Sequence, residues 1–262
     1  MSIQPATDVS TSYSQPSDRR GKYFDAKRYG TPALILIALT GLLVFLTVRG
    51  KPDKIEAFAL NWPYMLAKVD EHIRLSIAAA LLVAFIAIPL GIIVSRSKSK
   101  IVRGLIVGIG NIGQATPAVG VIILLALILG IGWSTAIIAL VFYGLLPVIR
   151  NTMVGISQIN PSIIESAKGM GMTGGQILRK IELPLAVLVI LAGFRTTLVF
   201  SVGVATIATF INAGGLGEVL VVGLKLSREA VTLTGAVVVS CIALGMDWVA
   251  GLVEDLLKPK GV

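Results

Sequence analysis

Long apolar runs separated by short polar segments dominate the chain. We predict that six of these runs are membrane-spanning helices, because a helix needs about 20 apolar residues to cross a hydrocarbon layer of ~30 Å. Apolar residues are continuous within each run and do not follow amphipathic spacing, which argues against surface helices around a soluble core. The predicted spans are about Pro32–Val48, Ile73–Val94, Ile101–Leu129, Thr135–Ile149, Leu185–Phe210 and Ala230–Val253.

The third run is too long for one straight crossing at a rise of about 1.5 Å per residue. Pro117 lies inside it and removes a backbone hydrogen-bond donor. We therefore expect either a tilted, kinked helix or two pieces. The number of spans is accordingly six or seven.

Composition supports an all-α, polytopic membrane protein. Hydrophobic residues make up 55% of the 262 residues and charged residues 14%, whereas soluble domains carry about a quarter charged residues. The single cysteine excludes an internal disulfide framework. We expect residues 1–30 to be a disordered cytoplasmic tail, residues 31–72 the first transmembrane helix and an external segment, and residues 73–262 the core domain.

The net charge of +9 raises the question of a nucleic-acid partner. No basic stripe with interleaved aromatic residues is present, so we predict none. With six spans, fifteen Lys and Arg residues fall in segments on one side and seven on the other. Loops rich in Lys and Arg are retained in the cytoplasm, so the side with fifteen basic residues is predicted to be cytoplasmic. The spans themselves are expected to contact membrane lipid.

The polar segment between the fourth and fifth spans has helix start and stop signals. Asn160-Pro161 predicts a helix start, with Asn as the N-cap and Pro at the first helical position. Gly171 allows a turn, and Thr173 with Gln176 three residues later predicts a capping box for a second helix. We expect Pro184 to end that helix, before span five begins.

Two interpretations of this segment follow from its residues. An apolar side on the first helix would suit an amphipathic helix that lies in the groove of a partner protein. The same side would suit an ordinary amphipathic loop resting on the lipid headgroups. The apolar side consists of Ile163, Ile164, Ala167 and Met170.

The segment resembles the cytoplasmic loop of ABC-importer permeases. The family pattern is Glu-Ala-Ala, three residues, Gly, nine residues, Ile, one residue and Leu-Pro, and the only departure here is Ser166 for the middle Ala. In that family the loop docks on an ATPase subunit, and Glu165 would serve in docking or in holding the turn. The matching residues are Glu165, Ser166, Ala167, Gly171, Ile181, Leu183 and Pro184.

The resemblance implies that ATP is bound by a partner ATPase. The pattern G-x-x-x-x-G-K-[ST], whose backbone cradles nucleotide phosphates, occurs nowhere in the sequence. We predict no cofactor in this chain and, with one His and one Cys, no metal site. A transporter subunit and not an enzyme is therefore expected.

From about Leu75 to Val262 the chain is similar to the osmoprotectant branch of these permeases. That resemblance implies a type I ABC importer domain, a second permease subunit that is identical or homologous, ATPase subunits and an extracytoplasmic substrate-binding protein. Asn212 stands where this branch commonly has Gly. The similar blocks are residues 114–117, 143–147 with 150–152, 165–172, 182–186, 192–196 and 213–217.

The predicted function is therefore that of an inner-membrane permease for glycine betaine, choline, carnitine or a related osmoprotectant. Other cargoes remain open within the same class, including an amino acid, a thiol-histidine betaine or a phosphonate. A self-sufficient secondary transporter would show inverted repeats and acidic relays. A membrane enzyme would need an acid, base or metal constellation near one face.

Two charged residues lie deep within predicted spans. Arg195 is in span five and Asp247 in span six, at similar depths from the cytoplasmic side. An unpaired charge there costs several kcal/mol, so each needs a partner or a wet cavity. We consider both a pair between the two helices and separate contacts for each residue.

Three uncharged polar residues, Asn111, Gln114 and Thr116, lie near Pro117. They would either line a pathway for the solute or satisfy backbone groups that the proline leaves unpaired. The second interpretation is preferred. Gly104 and Gly108 form a small-xxx-small pair that predicts close helix packing, and His72 is expected at the membrane interface.

Overall fold

The computed structural model describes the backbone of residues 19–97 and 99–257 and the side chains from residue 29 onward within those ranges. The described residues form helices joined by short loops and turns, and none of them lies in a strand. Its helices are α1 (Arg19–Val48), α2 (Lys54–Ala59), α3 (Trp62–Arg96), α4 (Lys100–Ala115), α5 (Ala118–Leu129), α6 (Trp133–Ser157), α7 (Pro161–Gly169), α8 (Gly174–Ile177), α9 (Leu183–Ala205), α10 (Gly217–Lys225) and α11 (Glu229–Leu257). A π segment (Leu178–Glu182) joins α8 to α9, and a 3₁₀ segment (Ile207–Ile211) follows α9.

The apolar runs form the helices that are long enough to cross a membrane. Five of the described helices meet this condition, and the bent pair α4 and α5 makes a sixth if it counts as one span. The two halves of that pair meet at 101°. The predicted break at Pro117 is confirmed, because Thr116 before it is extended, as a residue preceding proline prefers.

Several predicted boundaries are wrong in the same direction. α3 begins at Trp62, well before Ile73, and α6 continues past Ile149 to Ser157. Polar residues at these ends keep helical geometry because each added residue extends an existing hydrogen-bonded ladder at little cost. Hydropathy detects only the apolar middle of such helices.

The N-terminal prediction is corrected in part. Residues 1–18 lie outside the described residues, but α1 begins at Arg19, so residues 19–30 are helical and not a disordered tail. Helix propagation from the apolar run explains this extension. α1 packs on α11, while most of its apolar side chains from residue 29 onward are exposed, as expected for a helix that faces lipid.

α3, α6 and α9 pack against one another and form the centre of the bundle. Gly144 of α6 lies where these helices meet: a Cβ there would be 2.7 Å from the Thr197 side chain and 2.8 Å from the Val83 side chain. The Thr197 hydroxyl donates a hydrogen bond of 3.0 Å to the carbonyl of Gly144. The absence of a side chain at residue 144 therefore allows the close approach.

The two ends of the bundle carry the loops that the charge distribution assigns to opposite sides. At one end Arg96 forms an ion pair with Glu182. At the other end Arg228 forms an ion pair of 2.9 Å with Asp53. Further contacts at this second end join Lys68 to Glu218 (2.7 Å), Arg49 to Glu56 (2.6 Å) and the Gly215 backbone N–H to Glu71 (2.8 Å).

Candidate functional site

The segment that carries the importer-like motif begins as predicted. Asn160 is the N-cap of α7, and its side-chain oxygen accepts a hydrogen bond of 3.0 Å from the backbone N–H of Ser162. Pro161 occupies the first helical position, where its missing N–H costs nothing. The start of α7 is therefore fixed by local sequence.

A glycine turn ends α7. The Met172 N–H donates to the Ala167 carbonyl (3.1 Å) and the Gly171 N–H to the Lys168 carbonyl (2.9 Å), which is the paired pattern of a Schellman motif. Gly171 has φ of 79°, a conformation that costs a residue with a Cβ about 1–2 kcal/mol. The motif requires glycine at this position for its backbone, since no atom lies within 4 Å of a Cβ placed there.

The second helix begins at the predicted capping box but does not end where we expected. The Gln176 side chain accepts from the Thr173 backbone N–H at 2.8 Å, and the Thr173 hydroxyl accepts from the Gln176 N–H at 3.4 Å. α8 then continues through the π segment into α9, so the prediction that Pro184 ends this helix is wrong. Pro184 has no N–H to donate within the helix. The π turn before it shifts the hydrogen-bonding register by one residue, and the helix continues past the proline into α9.

Most motif residues at the start of the loop are exposed. Glu165, Ser166 and Gly171 are exposed, whereas Ala167 is fully buried. Met170 is 73% exposed and Ile163 is exposed, whereas Ile164 is partly buried, so the rest of this chain covers the apolar side of α7 only in part. Later in the motif, Ile181 and Leu183 are partly buried and Pro184 is exposed.

The structure brings Arg195 and Asp247 together. Arg195 donates from Nε to Asp247 Oδ1 (3.0 Å) and from Nη2 to Asp247 Oδ2 (2.8 Å). Its Nη1 donates to Glu254 at 2.7 Å. One guanidinium of α9 therefore binds two carboxylates of α11, and the alternative of separate contacts is not what the structure has.

Sequence reasoning missed Glu254. It lies seven residues after Asp247, a spacing that places both carboxylates on one face of a helix. Arg195 also lies at the edge of an apolar groove of about 490 Å³ between α3, α9 and α11. Phe194, Leu198 and Ile242 are among the groove's lining residues.

The polar residues near Pro117 contact α6. Gln114 donates to the Tyr143 carbonyl at 3.4 Å, and the Thr116 hydroxyl donates to the Ile112 carbonyl at 2.8 Å. The buried Tyr143, which the sequence analysis names only as part of a block similar to the family, donates its hydroxyl to the Thr116 carbonyl at 2.8 Å. These contacts are to backbone carbonyls, but none is to the Gly113 carbonyl that Pro117 leaves without its helical donor, and Asn111 accepts a hydrogen bond from Arg150.

Two further expectations concern residues whose contacts the structure describes. His72 is fully buried, and its Nε2 lies 3.1 Å from the Val202 carbonyl, so it packs within the bundle. A Cβ placed on Gly104 or Gly108 would have no atom within 4 Å, whereas a Cβ on Gly110 would be 2.6 Å from Leu146. Within this chain, close packing of α4 occurs at Gly110 because that face of α4 is the one turned toward α6.

Comparison with known proteins extends these observations. Residues 87–259 match the family described as "Binding-protein-dependent transport system inner membrane component". The chain is 41% identical to the choline transport system permease protein OpuBB of Bacillus subtilis (strain 168) over 202 residues, which cover 77% of this chain and 92% of that protein. It is 39% identical to the glycine betaine/carnitine/choline transport system permease protein OpuCB of the same organism, with the same coverage.

The fold has a counterpart of known structure. An inward-facing structure of the MetNI methionine ABC transporter matches with a TM-score of 0.67 and 21% identity, over 76% of this chain and 100% of that chain. This confirms the predicted type I ABC importer fold and the multi-pass character of the chain. The protein belongs to the family of inner-membrane permease components of binding-protein-dependent ABC importers, in which ATP hydrolysis is the task of a separate subunit.

Proposed function

We propose that the chain is the permease subunit of an ATP-driven importer of osmoprotectants, the quaternary ammonium compounds such as glycine betaine, choline or carnitine. The names of two relatives at about 40% identity, whose lengths the match covers almost fully, support this class of cargo. An external binding protein delivers the solute. The permease opens a path for it across the membrane.

The observation that carries the proposal is the geometry of α7 and its glycine turn. A short helix, capped at both ends and exposed along Glu165 and Met170, forms a stiff protrusion from the bundle. Such a helix suits insertion into a groove of a partner protein. We place the ATPase there, on the cytoplasmic side, with Glu165 as a fixed negative charge for docking or for holding the turn.

A second permease subunit, identical or homologous, completes the pathway. Large apolar side chains of the bent pair are exposed, including Ile112 (71%) and Leu127 (78%). Lipid or the second subunit would cover them, since an apolar surface of this extent is not stable in water. Asn111, Gln114 and Thr116 stay candidates for the pathway wall, although their contacts support a structural role.

The cargo is tested by transport into proteoliposomes that contain the permease, its ATPase and its binding protein. We expect ATP-dependent uptake of labelled glycine betaine, choline or carnitine, and no uptake without ATP. ATP-dependent uptake of an amino acid, and of none of these three solutes, would contradict the proposed class of cargo but not the proposal that the chain belongs to an ATP-driven importer. Uptake that does not need ATP would contradict the proposal.

Docking is tested by the charge reversal Glu165→Lys. We expect less ATPase to co-purify with this variant than with the wild type. The matched control is Glu229→Lys, because Glu229 is also exposed but lies at the opposite end of the bundle, in the first turn of α11. Equal recovery of the ATPase with both variants would count against docking through Glu165.

Sidedness is tested with a membrane-impermeant thiol reagent on a Cys241→Ala background. A cysteine at Gly175, an exposed residue behind the turn, should react only from the cytoplasmic side. A cysteine at Lys225, the last residue of α10, should react only from outside. Labelling of residue 175 from outside intact cells would exclude an ATPase at α7.

A further inference from the structure

A single arginine joins the end of α3 to the segment behind the glycine turn. Arg96 is the last residue of α3, and its Nη2 donates to the Gly174 carbonyl at 3.3 Å. The same nitrogen forms an ion pair with the Glu182 carboxylate. The Glu182 side chain is only 12% exposed, whereas the Arg96 side chain is 38% exposed, so the ion pair lies at the edge of the bundle with its carboxylate turned inward.

The two contacts of Arg96 mark the two ends of one short segment. Gly174 is the first residue of α8, directly after the capping residue Thr173, and Glu182 is the last residue of the π segment. The guanidinium group therefore contacts both ends of the segment that lies between the turn at Gly171 and the start of α9.

The π segment changes the backbone hydrogen bonding of that stretch. The Leu183 N–H bonds to the Leu178 carbonyl, five residues back, in place of the usual four. π turns are rare, occur mostly as single turns inside α-helices and are frequent at functional sites. A side-chain contact from a neighbouring helix would hold such a turn in place when the helix is displaced along its axis. Arg96 is placed to do so.

α3 is a suitable recipient of movement because it packs along both α6 and α9, the other two helices at the centre of the bundle. α7 itself packs little on the remainder of the described chain apart from α8. A displacement of α7 therefore passes through α8 and the π segment, where Arg96 is bound.

We propose that Arg96 is a positioning residue that transmits displacement of the α7–α8 loop to α3, so that ATPase movement acts on two central helices, α3 and α9, and not on α9 alone. This inference rests on the proposed function, because it needs an ATPase at α7. Glu182 is the partner through which the force passes, and the Gly174 carbonyl fixes the direction of the guanidinium.

The test uses the complete importer in proteoliposomes and measures solute moved per ATP hydrolysed, with whichever solute the wild type imports. We expect Arg96→Gln to keep ATPase co-purification at the wild-type level and to lower this ratio by about fivefold or more, the usual scale of coupling between distant sites. The charge swap Arg96→Glu with Glu182→Arg should recover part of the loss, because it restores the ion pair but not the hydrogen bond to the Gly174 carbonyl.

Arg103→Gln is the matched control. Arg103 lies at the same end of the bundle and donates to the Ser95 carbonyl at the end of α3, but it does not contact the segment behind the turn. Arg103→Gln removes one positive charge, as Arg96→Gln does. A lower ratio caused by altered membrane topology would therefore appear in both variants. We expect the ratio for Arg103→Gln to equal that of the wild type.

Three results would overturn the inference: an unchanged ratio in Arg96→Gln, an equal loss in Arg103→Gln, or no recovery in the charge swap. Should Arg96→Gln assemble poorly, Glu182→Gln provides the second measurement, because it removes the other charge of the same ion pair. A lowered ratio in Glu182→Gln supports the inference and a wild-type ratio contradicts it. A wild-type complex that imports no solute with ATP would refute the proposed function instead.

Discussion

Arg195 of α9 binds Asp247 of α11 through two parallel hydrogen bonds, from Nε to Oδ1 (3.0 Å) and from Nη2 to Oδ2 (2.8 Å). This bidentate geometry is the arrangement that suits a guanidinium and a carboxylate best. With Glu254 on the remaining nitrogen, the contact fastens the last helix of the bundle to a central one. Both helices are candidate membrane spans, where a lone charge would be costly.

The first prediction concerns the removal of this charge. Arg195→Gln should lower the free energy of unfolding by about 3 kcal/mol, because it leaves two carboxylates unpaired within membrane helices. Unfolding of the purified permease in detergent, by heat or by SDS, measures the change. The control is Arg74→Gln, which removes an exposed pair with Asp70 and should cost less than about 1 kcal/mol.

Coupling between the two residues gives a stricter measurement. The double variant Arg195→Gln/Asp247→Asn should lose less stability and less transport than the sum of the two single variants, because each single change already breaks the same contact. Strictly additive losses would show that Arg195 and Asp247 do not act as a pair.

The second prediction concerns the turn at Gly171. Gly171→Ala should reduce co-purification of the ATPase, since alanine at φ of 79° costs about 1–2 kcal/mol and distorts the turn behind α7. Gly169→Ala is the control, because both sites have open space around the Cβ position but Gly169 is helical. A Gly171→Ala variant that retains the ATPase as well as Gly169→Ala would contradict the conformational argument.

The third prediction concerns the packing of α3, α6 and α9. Gly144→Ala should destabilise the permease by about 1–3 kcal/mol, because the added methyl group would lie 2.7 Å from Thr197 and 2.8 Å from Val83. Gly203→Ala in α9 meets nothing within 4 Å and should be neutral or slightly stabilising. Thermal unfolding of Gly144→Ala and Gly203→Ala measures the difference. Similar unfolding midpoints for the two variants would contradict the close approach of helices at Gly144.

The fourth prediction concerns the break between α4 and α5. Tyr143→Phe removes the hydroxyl that donates to the Thr116 carbonyl and should cost about 1 kcal/mol of stability. Tyr29→Phe, at a side chain that is 69% exposed, should cost nothing measurable. A fully tolerated Tyr143→Phe would mean that the hydroxyl does not support the break.

Local sequence predicted the elements whose geometry depends on a few neighbouring residues. The start of α7 at Asn160, the turn at Gly171 and the capping box at Thr173 follow from side-chain and backbone hydrogen bonds within five residues. The break at Pro117 follows from the missing N–H of proline. In each case a few neighbouring residues decide between helix and turn, so the local sequence pattern is sufficient to predict the backbone conformation.

The end of the second helix could not be predicted in this way. Pro184 normally predicts a boundary, but a π turn directly before it carries the helix on into α9. Arg96, whose carboxylate partner Glu182 is the last residue of that turn, is remote in sequence from it. No pattern in the segment itself reveals such a contact.

The sequence by itself determined that this chain crosses a membrane several times, which loop carries the importer motif, and where Arg195 and Asp247 would need partners. These features depend on transfer of apolar residues from water and on short-range hydrogen bonding, which act on each segment separately. Only the tertiary structure decided that Arg195 also binds Glu254, that Arg96 bridges Gly174 and Glu182, and that Gly144 sits where three helices meet. Those relationships arise from how helices pack side by side, and packing brings together residues whose separation along the chain carries no information about their distance in space.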